Sequence, residues 1–357
     1  MSPASAGVAV AAGTLEGVAQ GARPNRPQQQ TTSGSTKKTQ AKTHGASGNP
    51  AKRNGPARRG PAAVKPATAS DWVSGARLRT LPLAIAPVFL GTGAAIVATG
   101  AGEFHWVRAL LALAVAVCLQ IGVNYANDYS DGIRGTDNNR VGPARLTGSG
   151  AAAPRTVLIV ALSFFGAAAI AGLLLVIATQ QWWLLLVGVL AIAAAWLYTG
   201  GKRPYGYLGL GELFVFVFFG LVATLGTTYV QAGTVNLESW LSAISIGFIA
   251  CAVLMVNNLR DIVPDRASGK RTLAVLIGGT AGRAVFCVFL LAPFLTVGFF
   301  SLFYPLAFFT FFVLLLALPA CLITVTGRTA GELILALKLT SFAGLGYGVL
   351  LGLAFAL

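Results

Sequence analysis

Residues 107–126 read VRALLALAVAVCLQIGVNYA, and the chain runs straight on into NDYSDGIRGTD over 127–137. The first stretch has the roughly 20 apolar residues that an α-helix needs to cross the hydrocarbon of a bilayer. The second sets Asp128, Asp131 and Asp137 at or just beyond its end. Carboxylates beside hydrocarbon are costly and require cations or other partners. The pair therefore reads as a membrane helix that carries an acidic cluster to one face of the bilayer.

Eight more apolar runs accompany it, at 81–100, 155–178, 182–200, 208–230, 240–259, 282–302, 305–325 and 337–356. They are too long and too uniformly apolar for the alternating strands of a membrane barrel. The composition agrees: 55% of the 357 residues are hydrophobic and 10% are charged, against about 25% charged in soluble domains. We expect an all-α, polytopic membrane protein, a bundle of nine transmembrane helices over residues 71–357. The loops alternate sharply in charge. One set holds Arg134, Arg140, Arg145, Arg155, Lys202, Arg203, Arg260, Arg266, Lys270, Arg271, Arg283, Arg328 and Lys338, whereas the other holds only Arg108. By the positive-inside rule the rich set is cytoplasmic, which places the N-terminus in the cytoplasm and the C-terminus outside. The acidic clusters then share one cytoplasmic mouth of the bundle.

Residues 1–70 differ in kind. They carry +9 of the net charge of +15 and are rich in Ala, Gly, Pro, Gln, Ser and Thr. Such a segment buries too little apolar surface to offset the entropy of ordering, so a disordered basic tail is expected. Its pairs Lys37-Lys38, Lys52-Arg53 and Arg58-Arg59 suit anionic headgroups. No fold or interleaved aromatics point to nucleic acid. Cys118, Cys251, Cys287 and Cys321 are isolated in apolar runs, His44 lies in the tail and His105 in a short loop. Zinc, thiol and histidine chemistry are excluded by that scatter.

Three polar clusters carry the chemistry. At 100° per residue, Asn124, Asn127, Asp128 and Asp131 fall on one helix face. A second cluster holds Asn257, Arg260, Asp261 and Asp265, with Asp265 one turn on or past the Pro264 break. Oxygen-only donors with neither His nor Cys point to Mg²⁺, which joins a few carboxylates to substrate phosphates. The third cluster, Tyr198-Thr-Gly-Gly-Lys202-Arg203-Pro204-Tyr205-Gly-Tyr207 with Glu212 after it, supplies through Lys202 a point charge and through Arg203 a planar fork suited to phosphate. Paired acids can also merely pair with neighbouring arginines. Two Asn/Asp clusters at matching helix ends favour metal instead.

These clusters resemble the three signatures of UbiA-type intramembrane prenyltransferases. The strings NDYSDGIRGTD, RVGPARLT (140–147) and YTGGKRPYGYLGLGE (198–212), with Ala76-Arg77-Leu78-Arg79-Thr80-Leu81-Pro82, are similar to the branch that prenylates 1,4-dihydroxy-2-naphthoate in menaquinone synthesis. The likeness covers about residues 72–357. Asp137 follows Asp131 by six residues where many relatives have four. The resemblance implies an enzyme of the cell inner membrane that transfers a polyprenyl chain from its diphosphate to dihydroxynaphthoate, with loss of carboxylate and diphosphate. Mg²⁺ would be held by Asn127, Asp128, Asp131, Asp137, Asp261 and Asp265. Diphosphate would meet Arg134, Arg140, Arg145, Tyr198, Lys202, Arg203 and Lys270, and the aromatic acceptor Arg79, Asn124, Asn257 and Arg260. Asp128, Asp131, Asp261, Asp265 and Lys202 are the expected catalytic set. A sister enzyme for 4-hydroxybenzoate, homogentisate or haem, and an ion-coupled transporter, are the competing readings. Nothing in the pattern specifies prenyl chain length or an oligomer.

Overall fold

A computed structural model of the chain describes residues 65–100, 104–136 and 145–357, which belong to one compact unit, Pro61–Leu357. Every expected apolar run forms a helix: α1 (Pro82–Thr99), α2 (Trp106–Arg134), α3 (Pro154–Thr179), α4 (Leu184–Leu197), α5 (Gly211–Ala232), α6 (Leu237–Arg260), α7 (Leu273–Phe300), α8 (Pro305–Thr326) and α9 (Ala330–Ala356). Among the described residues, eight of these are long and apolar enough to cross a membrane. The ninth, α4, has 14 residues, about 21 Å at 1.5 Å per residue, short of the roughly 30 Å hydrocarbon core. This corrects the expectation of nine full spans. The apolar run at 182–200 is longer than its helix because Trp182 and Trp183 lie in the preceding turn, and the chain turns off after Tyr198.

α6 is the most enclosed of the long helices and packs against α5, α7 and α9. α9 also packs closely along α1. There a Cβ on Gly93 would collide with the Gly352 backbone. Lipid supplies little hydrophobic drive between helices, so small residues that admit close backbone approach hold such seams together. α2 and α3 form a second pair, with α4 leaning on both. α4 shows most of its side chains outward, Leu186 and Val189 among them, 64% and 63% exposed. Such a surface suits hydrocarbon.

The described chain starts earlier than the expected boundary at residue 70. Ala67 N–H bonds to the Ala151 carbonyl at 2.9 Å, and Thr68 caps the short helix Ala69–Gly75 reciprocally with Asp71. Residues 65–70 are therefore part of the folded body. The rest of the expected tail, with its basic pairs, lies outside the described residues.

Candidate active site

The inner face of α2 carries one polar stripe. Gln120, Asn124, Asn127 and Asp131 recur at i, i+4, i+7 and i+11, which stacks them on one side of the helix, and all four are buried. Asn124 Nδ2 donates to the Ala76 carbonyl at 2.9 Å. Asn127 Oδ1 accepts from Thr199 Oγ1, at the end of α4, at 2.7 Å. The lower stripe is thereby tied to the segments on both sides.

Asp128 lies beside the stripe and does different work. Its two oxygens accept the backbone N–H groups of Leu146 and Thr147 at 2.9 and 2.8 Å. Gly132 permits this loop to close on the helix, because a Cβ there would strike the Thr147 side chain. The closure delivers Arg145, whose Nη1 lies 2.9 Å from Asp131 Oδ2 and 2.8 Å from the Asn127 carbonyl. Asp128 thus fixes the loop, and Asp131 receives the cation that the loop brings.

The second cluster approaches from α6. That helix stops at Arg260, and a short helix, Ile262–Ala267, restarts beyond Asp261. Pro264 is its third residue, within the first turn, where a missing N–H leaves no helical bond unmade. Arg260 Nε donates to Asp261 Oδ1 at 2.8 Å, and its Nη2 reaches the other oxygen. Asp265 meets Lys270, whose Nζ lies 3.9 Å from Asp265 and 3.3 Å from Asp131. One ammonium therefore joins carboxylates borne by the two clusters. The Tyr207 ring lies under that ammonium, 4.6 Å from its centroid, a favourable cation–π distance. The Tyr207 hydroxyl donates to Asp131 Oδ1 at 2.5 Å. Burial, followed by the Asp131 charge, raises the Tyr207 hydroxyl pKa above its ordinary value, so it stays a donor at neutral pH.

These groups border a cavity of about 520 Å³. Its polar end is lined by Arg79, Asn124, Asn127, Asp128, Asp131, Arg145, Tyr198, Asn257, Arg260, Asp261, Asp265 and Lys270, all expected site residues. Elsewhere its wall is largely apolar, with Val115, Leu173, Val187, Phe218 and Val222 on α2, α3, α4 and α5. The α5 wall includes a π-helical stretch, Phe216–Val222, a local widening that often accompanies functional sites. Burial, and then the neighbouring Arg260, lowers the pKa of Arg79. Both guanidiniums line one cavity wall, and that of Arg260 is already paired with Asp261.

Three expected phosphate ligands are placed otherwise. Lys202 and Arg203 are exposed and do not line the cavity. The loop after α4 turns outward at Gly201, which adopts φ +74°. Arg134 is also off the cavity wall, and its guanidinium donates to the Thr199 and Gly201 carbonyls. It ties α2 to the end of α4. Asp137 and Arg140 lie outside the described residues. Sequence reasoning included Thr199 and Tyr207 in its third cluster without giving them a role, and it passed over Gln120. Gln120 was discoverable as the residue one turn before Asn124 in an otherwise apolar run. Glu212 is buried on α5, with one oxygen accepting from Asn258 Nδ2 at 3.0 Å.

Among the described residues, no three His, Cys, Asp or Glu side chains form a ready cage. Asp131 and Asp265 instead face one shared cation. That arrangement fits Mg²⁺, which keeps waters and uses one or two carboxylates plus substrate phosphate.

An all-helical membrane bundle with two acidic helix ends around one mouth defines a class of intramembrane proteins, and the comparisons specify which. The UbiA prenyltransferase family matches residues 84–355. A 1,4-dihydroxy-2-naphthoate octaprenyltransferase of Mycobacterium tuberculosis is 53% identical, over 62% of this chain and 74% of its own. The protein of that name from Escherichia coli is 39% identical, over 65% and 76%. Two solved structures share the fold. An apo UbiA homolog from Aeropyrum pernix has a TM-score of 0.58 at 19% identity, covering 74% of this chain and 96% of its own. A UbiA homolog from Archaeoglobus fulgidus bound to DMAPP and Mg²⁺ has a TM-score of 0.54 at 13% identity, covering 79% and 98%. This chain belongs to the UbiA prenyltransferase family.

Proposed function

We propose that this protein is a Mg²⁺-dependent 1,4-dihydroxy-2-naphthoate polyprenyltransferase of menaquinone biosynthesis. The observation that carries the reading is the Lys270 ammonium shared by Asp131 and Asp265 at the polar end of a largely apolar cavity. The 53% identity to a relative of that name supports the acceptor. Asp131 and Asp265 would hold the metal, with Asn127 and Asp261 beside them. Bound Mg²⁺ would neutralise charge growing on the departing diphosphate.

The chain's own residues do the rest. Lys270 and Arg145 supply fixed positive charge toward the diphosphate oxygens, in a site already organised for them. Tyr198 closes the wall beside them. Asp128 holds the Arg145 loop and is assigned to positioning rather than to metal. The prenyl tail lies along the apolar wall between α2, α3, α4 and α5, where water is excluded. Arg79 and Arg260 hold the acceptor's carboxylate, and Asn124 and Asn257 flank its ring. The carbon–oxygen bond breaks with its electron pair leaving on diphosphate, the ring carbon that bears the carboxylate bonds to the prenyl carbon, and the carboxylate departs as carbon dioxide, its bonding pair returning to the ring. No external oxidant or reductant is needed. The mouth faces the cytoplasm, with the C-terminus outside, because the cationic loops gather at that end.

The test is prenyl transfer by the purified protein with a polyprenyl diphosphate, with and without Mg²⁺, across dihydroxynaphthoate, 4-hydroxybenzoate and homogentisate. Metal-dependent product with dihydroxynaphthoate alone supports the reading. Preference for another acceptor, or full turnover in chelator, refutes it.

A further inference from the structure

Helical glycines in this bundle are of two kinds. On the seams between helices, Gly91, Gly220 and Gly348 have no room for a side chain. A Cβ there would come within 2.5, 2.6 and 2.7 Å of a neighbouring helix backbone. Gly172 on α3, Gly188 on α4 and Gly226 on α5 are the opposite case, and all three line the cavity. A Cβ on Gly188 or Gly226 would meet no other part of the protein within 4 Å. One on Gly172 would touch only Val115 Cγ2, at 3.8 Å, and Val115 is itself on the cavity wall. None of the three has a positive φ. Neither close approach nor backbone conformation asks for glycine at these positions, and glycine is a poorer helix former than alanine. What the three provide is open space inside the cavity.

That space lies at one level. Gly172, Gly188 and Gly226 are each about one helical turn from Leu175, Leu184 and Val230, which pack in a single apolar cluster with Val88 and Ala112. The cluster lines the end of the cavity remote from the carboxylates. From Asp131 to Val115 along α2 is about 24 Å, at 1.5 Å per residue. A farnesyl tail with its diphosphate at Lys270 ends short of this level. An octaprenyl tail reaches it with length to spare and has to bend or leave there. We propose that Gly172, Gly188 and Gly226 set the length of prenyl chain that the enzyme accepts, by keeping side chains out of the space its distal units occupy. The inference rests on the prenyl transfer proposed above and adds the residues that select its donor. The glycines are far from the bond that breaks, so they act on accommodation of the long chain and not on the chemical step.

The experiment measures kcat/KM for farnesyl and octaprenyl diphosphate, with dihydroxynaphthoate as acceptor. It compares wild type with Gly172→Leu, Gly188→Leu and Gly226→Leu. Each leucine is expected to lower the octaprenyl value about tenfold or more, since a misfit of one methylene in an apolar pocket already costs about 10–200-fold. The farnesyl value stays within about twofold of wild type, and KM for the acceptor is unchanged. Gly226→Ala keeps or raises the melting temperature in detergent, as alanine is the better helix former. Leucine variants that unfold, or that lose both diphosphates alike, overturn the proposal, because the positions then lack the room assigned to them. A wild type that transfers neither chain to dihydroxynaphthoate refutes the parent reading and this inference with it. A wild type that transfers both, with the octaprenyl-to-farnesyl ratio unmoved in all three leucine variants, refutes this inference alone.

Discussion

The end of α2 and the end of α6 carry similar Asn/Asp clusters, yet they are built in opposite ways. On α2 the helix runs unbroken through Asn124, Asn127, Asp128 and Asp131, and each of these side chains is held by a neighbouring segment. On α6 the helix ends at Arg260, Asp261 forms the joint, and Asp265 rides on a separate short helix. One half of the site is braced by neighbouring segments. The other is jointed, and its contact with the first passes through Lys270. A fixed half and a jointed half suit a site whose metal is completed by substrate, because the jointed carboxylate can adjust to the ion.

The difference is open to mutation. The largest effect is expected at Asp131, where Asp131→Asn should lower prenyl transfer by about 10³-fold, equivalent to about 4 kcal/mol of barrier, in protein that still folds. Initial rates of diphosphate release report this. Its neighbour should behave otherwise. Asp128→Asn removes charge-assisted bonds worth about 1.5–3 kcal/mol, so it should lower the melting temperature in detergent and raise KM for the diphosphate through a loosened Arg145. Equal losses of kcat at the two positions would erase the distinction between them. Tyr207→Phe, which deletes one bond to Asp131, should cost about tenfold in kcat/KM, near 1.4 kcal/mol. The smallest effect is expected from the exposed Lys202, where Lys202→Met should cost less than about threefold. A loss on the scale of Asp131→Asn would return Lys202 to the diphosphate site.

Much of this molecule is written in local pattern. Apolar runs found each of α1 to α9, because a spanning segment must satisfy its backbone internally and be apolar along its length. The period of α2 put Asn124, Asn127 and Asp131 on one face. What the pattern omitted is set by residues distant in sequence. Asp128 and Asp131 are alike in one dimension. They diverge because the amides of Leu146 and Thr147 meet one of them and Arg145, Lys270 and Tyr207 meet the other. Lys202 and Lys270 are both loop lysines near an aromatic. Only the return of the loop after α6 onto Tyr207, where Arg271 N–H bonds the Tyr207 carbonyl at 3.0 Å, brings one of them to the carboxylates. The shortness of α4 was hidden because Trp182 and Trp183 count as apolar whether they sit in a helix or a turn.

In the proposed mechanism Asp131 and Asp265 act on one shared ion rather than on two. A double-mutant cycle in Mg²⁺-dependent binding of a prenyl diphosphate measures this directly. Asp131→Asn and Asp265→Asn should each remove most of the Mg²⁺-supported affinity, and the double variant should lose little more than the worse single one. Losses that simply add, or affinity indifferent to Mg²⁺ in wild type, would contradict it.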